Sequence, residues 1–147
     1  MDISRIKPSK IEEEKVKRIS NELIKKIKVR DAKVNLGGSG AKGTWLKDLN
    51  DIDVYVRFNY KKYKDRSEQL SEILEKGLNS FRIVRLHGSR DYFQIKYKGF
   101  IFEIIPILDI KKAEEARNIT DVSQLHIDYV RRYKELVDEI RLAKAFA

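Results

Sequence analysis

"GGSGAKGTWLKDLNDIDVYVRF", residues 37–58, runs from a glycine-rich stretch carrying Ser39 and Lys42 into a strict alternation. Asp51, Asp53, Tyr55 and Arg57 occupy one parity, and Ile52, Val54, Val56 and Phe58 the other. Successive side chains of a β-strand point to opposite faces, so residues 51–58 are predicted as a strand with one apolar face and two carboxylates projecting together from the other. "KVNL" (33–36) is a short extended run ending in Gly37-Gly38. The unit therefore reads as strand, glycine turn, strand.

Upstream, Pro8, Ser9 and Glu12 form a capping-box pattern, and Val16, Ile19, Leu23, Ile24 and Ile27 follow at helical spacing, which predicts an amphipathic helix over 9–29. Downstream, Leu70, Ile73, Leu74 and Leu78 predict a helix from Ser67 to Asn79. Strands are predicted in "FRIVRLH" (81–87), "YFQIKY" (92–97) and "FIFEIIPIL" (100–108). The last two form a β-hairpin through Lys98-Gly99, and its second strand carries one acid, Glu103, among apolar neighbours. A short helix is expected over 111–118, and from Ser123 onward Val130, Val137, Ile140 and Ala143 keep helical spacing to the end. The expectation is an α+β fold, a mixed β-sheet packed against helices, in one domain over residues 1–147. A chain of about this length buries roughly 70% of its unfolded surface, enough for a core of its own.

Composition narrows the chemistry. The absence of cysteine excludes disulfides, thiolate metal sites and cysteine nucleophiles, and two histidines are too few for a histidine-rich zinc site. The net charge of +9 and the 37% of charged residues make a positive field that draws phosphates or nucleic acid, although a well-solvated surface accounts for the charge equally well. Apolar runs fall short of the roughly 20 residues that cross a bilayer, and "MDISRIKPSK" has no apolar leader, so a soluble, cytoplasmic protein without a membrane partner is expected.

Two carboxylates in D-x-D on a strand repel one another unless a cation lies between them, and a hard divalent ion, Mg²⁺ above all, takes such oxygen ligands. Glu103 on another strand is a candidate third ligand, since an unpaired glutamate buried among Ile and Phe costs several kcal/mol. The other reading of D-x-D is a solvated strand face. In "GGSGAKG", backbone N–H groups from Gly38 onward, the Ser39 hydroxyl and the Lys42 charge suit an approaching phosphate, and a plain surface turn is the alternative. The order G-x-x-x-x-G-K-[ST] of a P-loop is absent. A phosphate cradle, paired acids and a third acid together point to phosphoryl or nucleotidyl transfer.

These residues carry a resemblance. "GSGAKGTWLKDLNDIDVYV" resembles the G-S-x-A-[KR]-x-T-W-L…D-x-D-[IV]-D signature of class I, archaeal-type CCA-adding enzymes, tRNA nucleotidyltransferases of the DNA polymerase β superfamily. "FEIIP" is similar to that family's V-D-V-V-P strand, with Glu103 where Asp is usual; "DVSQLHIDYV" resembles its D-R-[ST]-P-L-H segment and "EIRLAKAF" its V-R-L-L-K helix. The match covers essentially the whole chain. The resemblance implies a polymerase β-like catalytic head in which Asp51, Asp53 and Glu103 hold the metal, and Gly38, Ser39, Lys42, Ser123, His126 and Lys144 touch the nucleotide. It also implies ATP and CTP as substrates and a tRNA 3′ end as acceptor. Departures are Asp121-Val122-Ser123-Gln124 for Asp-Arg-[Ser/Thr]-Pro, and Arg90-Asp91-Tyr92 for His-Pro-Tyr. Family members continue through further domains, which leaves three readings open: a shortened piece of a longer enzyme, half of a split enzyme acting beside a separate C-terminal chain or by self-association, or a minimal transferase with another acceptor. A non-catalytic RNA- or nucleotide-binding module is the remaining reading.

Outside that constellation, His87 is expected to be structural and Trp45 to pack in the core, while Tyr55 either packs or stacks on a base. "YKKYKDR" (60–66) and "RRYK" (131–134) interleave aromatics with cations, as both RNA-binding surfaces and snorkelling surface lysines do.

Overall fold

The computed structural model describes residues 6–38, 51–133 and 136–146. Helix α1 spans Lys10–Lys26 and is capped by Ser9, whose hydroxyl accepts from the Glu12 backbone N–H at 3.1 Å. The helix ends three residues before its predicted limit, because Ile27 turns to extended backbone and enters the core. Strands β1 (Ala32–Leu36) and β2 (Asp51–Asn59) follow. Next come a short helix α2 (Tyr60–Tyr63), a 3-10 stretch Lys64–Gln69 and helix α3 (Leu70–Gly77). Arg66 leaves helical geometry (φ −133°, ψ 28°), so the α-helix begins later than Ser67.

Strand β3 is confined to Val84–Leu86, since residue 81 belongs to the turn that closes α3, with Phe81 N–H donating to Leu78 O. Strands β4 (Tyr92–Tyr97) and β5 (Phe100–Asp109) form the predicted hairpin. Lys98 (φ 48°) and Gly99 (φ 87°) are both left-handed, the requirement of a two-residue turn that matches strand twist. The Lys98 ammonium ties this turn to Glu22 of α1 at 2.6 Å.

The expected helix over 111–118 is replaced by 3-10 turns at Ala113–Glu115 and Ile119–Val122. Glu115 accepts from the Lys111 and Lys112 N–H groups, and Asp121 from those of Arg117 and Asn118, so side chains take the donors a helix needs. The terminal segment is two helices, α4 (Ser123–Arg131) and α5 (Val137–Phe146), not one. The bonds Arg132 N–H to Tyr129 O and Tyr133 N–H to Val130 O tighten the end of α4.

The sheet order is β1-β2-β5-β4-β3, with β2 and β5 parallel and the other neighbours antiparallel. Ile52, Val54, Val56 and Phe58 of β2 pair with Phe102, Ile104, Pro106 and Leu108 of β5, and this face packs against Val16, Ile19 and Leu23 of α1 and Leu70 and Leu74 of α3. Each such fully buried aliphatic or aromatic side chain contributes about 1.5–3 kcal/mol. Pro106 lies past the last β4 rung at Ile104, where its missing N–H breaks no bond between those two strands. Among the described residues no helix is long and apolar enough to cross a membrane.

Candidate active site

The second face of the sheet carries the acids singled out in the sequence. Asp51, Asp53, Tyr55 and Arg57 project from β2 to this side, as the alternation predicts, and the parallel register sets Glu103 directly opposite Asp53. Neighbouring strands lie about 4.8 Å apart and alternate residues about 6.6 Å apart, so the three acids occupy one small area of the sheet. The burial cost that made Glu103 anomalous is relieved by topology, since it lies on the partly exposed face while Phe102 and Ile104 face the core.

Beyond Glu103 the antiparallel register adds Gln94, and the next row holds Ile101 and the exposed Lys96. Neither Gln94 nor Lys96 stands out in the sequence, because pairing between β4 and β5 is what brings them beside the acids. Among the described residues no group of three or more His, Cys, Asp or Glu side chains is drawn close enough to hold a metal ion. The backbone register supplies the positions of the three acids.

The glycine turn reaches these acids. Gly37 N–H donates to Asp53 O at 2.8 Å and Gly38 N–H to the Tyr55 hydroxyl at 3.3 Å. A Cβ at Gly37 would fall 2.4 Å from the Tyr55 ring, and one at Gly38 only 2.3 Å from Asp53 Oδ2. Gly38 also has φ +52°, where L side chains are strained. Ser39, Lys42 and Trp45 lie outside the described residues.

Tyr55 is 7% exposed and packs with Ile107 and with Ile127 of α4, so it is a core residue of this face. Helix α4 therefore lies on the acid-bearing face, carrying half-buried Ser123 in its first turn and exposed His126 in the same stretch. Its Gln124 carbonyl accepts from Asn35, which accepts in turn from Arg57, and Arg57 pairs with Asp109 at 2.7 Å. Lys144 is exposed in the last turn of α5.

The start of α4 is set by a buried ion pair that sequence reading passed over. Asp121 is fully buried and meets the Arg90 guanidinium at 2.6 and 3.4 Å. It also accepts from the Leu108, Arg117 and Asn118 N–H groups at 2.9, 2.9 and 3.0 Å. Arg90 donates further to Pro106 O. This pair holds the loop at Asp121-Val122-Ser123-Gln124 through side chains native to this chain.

Away from the acids, Arg85 bonds Glu72, Glu75 and Asp91, and the exposed His87 ring reaches Asp91 at 3.2 Å. The Arg85 guanidinium holds the Asp91 and Glu72 carboxyls below their ordinary range, with His87 adding to the effect on Asp91.

A family model for the nucleotidyltransferase domain matches residues 16–142. The CCA-adding enzyme of Nanoarchaeum equitans is 43% identical over 116 residues, covering 77% of this chain and 28% of that enzyme. The CCA-adding enzyme of Methanosarcina barkeri is 30% identical over 154 residues, covering 98% and 34%. The chain thus spans about a third of the curated relatives it matches. In fold it is similar to the E. coli MS115-1 CdnC:HORMA-deltaN complex (TM-score 0.64, 20% identity, 96% of this chain and 52% of that one). It is equally similar to Cid1, solved for its RNA terminal uridylyl transferase activity (TM-score 0.64, 20% identity, 97% and 42%).

Proposed function

Since this chain belongs to the nucleotidyltransferase domain family, we propose that it is the catalytic head of a cytoplasmic CCA-adding enzyme, moving CMP or AMP from CTP or ATP to the 3′-hydroxyl of a tRNA. The observation that carries the reading is the register that sets Glu103 opposite Asp53, with Asp51 on the same face.

The donor set suits a hard divalent cation, magnesium in this reading. It offers carboxylate oxygens and no thiol, and the Gly38 backbone leaves room at Asp53 Oδ2 that a Cβ would fill. When bound, the ion supplies charge neutralisation at the triphosphate and aligns the attacking and leaving oxygens. Asp51 and Asp53 would hold it from β2 and Glu103 from β5. Asp53 or Glu103 would also take the proton from the acceptor 3′-hydroxyl. That oxygen bonds to the α-phosphorus as the bond to the bridging oxygen breaks, and pyrophosphate leaves. Gly38, by the close approach its backbone allows, would meet the triphosphate from the glycine turn together with Ser39 and Lys42, and Ser123, His126 and Lys144 would meet it from the helices, these side chains being donors suited to phosphate oxygens.

The test is incorporation of labelled CMP and AMP, assayed separately, into tRNA lacking its 3′-terminal residues. Wild-type chain is expected to label RNA with weak choice between CTP and ATP, and Asp51→Ala/Asp53→Ala to abolish labelling with the fold intact. Equal labelling by the double variant, or label on protein and none on RNA, refutes the reading.

A further inference from the structure

Resting on the reading that the acceptor is an RNA, we propose that the end of the sheet opposite the acids is a second RNA-binding surface, gripping the phosphate backbone of the acceptor's body while its 3′ end occupies the acid-bearing face. Because β2 and β5 are parallel neighbours, paired from Asp51↔Ile101 to Asn59↔Asp109, both strands leave the sheet at the same end. The segments that follow them, "YKKYKDR" and the stretch from Lys111, are far apart in sequence and brought together there.

Lys61, Lys64, Arg66, Lys111, Lys112 and Arg117 are all exposed at this end. Asp65, Glu68 and Glu114 are the exposed acids among them, and Asp31 is already taken by Lys62. Several cations rest on aromatic rings. Lys64 and Arg117 lie 5.8 and 6.0 Å from the half-buried Tyr60 ring, and Arg66 lies 5.1 Å from Tyr63. Such contacts restrain long side chains while leaving charge for a partner.

Strand β2 has nine residues, so this surface lies roughly 26 Å from Asp51. A nucleotide bound at the acids does not span that distance, whereas a structured RNA does. Phosphate contacts of this kind position an acceptor without reading its sequence.

The experiment uses the 147-residue chain and fluorescence anisotropy with two probes, a tRNA lacking its terminal CCA and an RNA trinucleotide. Lys61→Glu/Lys64→Glu/Lys111→Glu is expected to weaken tRNA binding roughly tenfold or more at low salt and to lower the log–log salt slope by about 3, near one unit per lost phosphate contact, with trinucleotide binding unchanged. Lys10→Glu/Lys17→Glu/Arg18→Glu on α1, with the same change in net charge, is expected to shift tRNA binding far less. The neutral set Lys61→Gln/Lys64→Gln/Lys111→Gln repeats the test should charge reversal disturb folding. Unchanged tRNA affinity and slope overturn the proposal and leave the surface to an acidic protein, and an equal loss in the α1 variant overturns it in favour of net charge alone. Anisotropy needs no turnover, so a chain that binds tRNA here but never labels it would sink the catalytic reading and leave this one standing.

Discussion

Asp53 and Glu103 stand directly opposite one another on parallel strands, two like charges on one face of the sheet. Opposed like charges destabilise a strand pair by roughly 0.2–1 kcal/mol relative to a neutral pair. Glu103→Gln is therefore expected to raise stability by a few tenths of a kcal/mol, read by thermal melting, while lowering nucleotide incorporation by about a hundredfold or more. A variant that is both less stable and fully active would contradict this.

Gly38 is required by its neighbour as much as by its own backbone. In Gly38→Ala the new methyl meets Asp53 Oδ2, and the φ of +52° strains the residue by about 1 kcal/mol. The expected result is a modest drop in melting temperature with a higher metal concentration needed for half-maximal incorporation. Unchanged metal dependence would show that the Asp53 carboxylate is not displaced.

The Arg90–Asp121 pair predicts a thermodynamic asymmetry. Asp121→Ala leaves a buried guanidinium without its partner and is expected to cost about 3–5 kcal/mol in urea unfolding. Arg90→Met/Asp121→Leu is expected to cost less than the sum of its single variants, since the two side chains are in direct contact. Additive effects would argue that Asp121 acts through its three backbone bonds alone.

Arg85 predicts the acid limb of stability. Asp91 and Glu72 have folded carboxyl pKa values below their ordinary 3.8 and 4.5. The stability they contribute is fully present above those ordinary values and is lost as pH falls through the lower folded ones. Arg85→Gln removes the largest cause of both depressions, leaving His87 beside Asp91, so its loss of stability between pH 5 and pH 3, an interval set by ordinary carboxylate titration, is expected to be shallower than that of wild type. Parallel acid limbs in the two proteins would count against the assignment.

Local rules were enough to read much of this chain. The alternation over 51–58 assigned both faces of β2, Lys98-Gly99 marked the hairpin, and Ser9 marked the start of α1, because each depends on residues adjacent in sequence. The helix over 111–118 failed for a physical reason: Glu115 and Asp121 side chains capture backbone donors there, a competition that apolar spacing does not report. The terminal helix divides at Arg132 and Tyr133, whose N–H groups bond three residues back, which the spacing of Val130 and Val137 does not report either. What belonged to the tertiary structure alone was register. Glu103 meets Asp53, Arg90 meets Asp121, and Lys61 shares a surface with Lys111 only once β2 and β5 pair in parallel and the chain between them folds back. Side-chain periodicity is written along the strand, whereas the partner across it is chosen by the packing of the whole sheet.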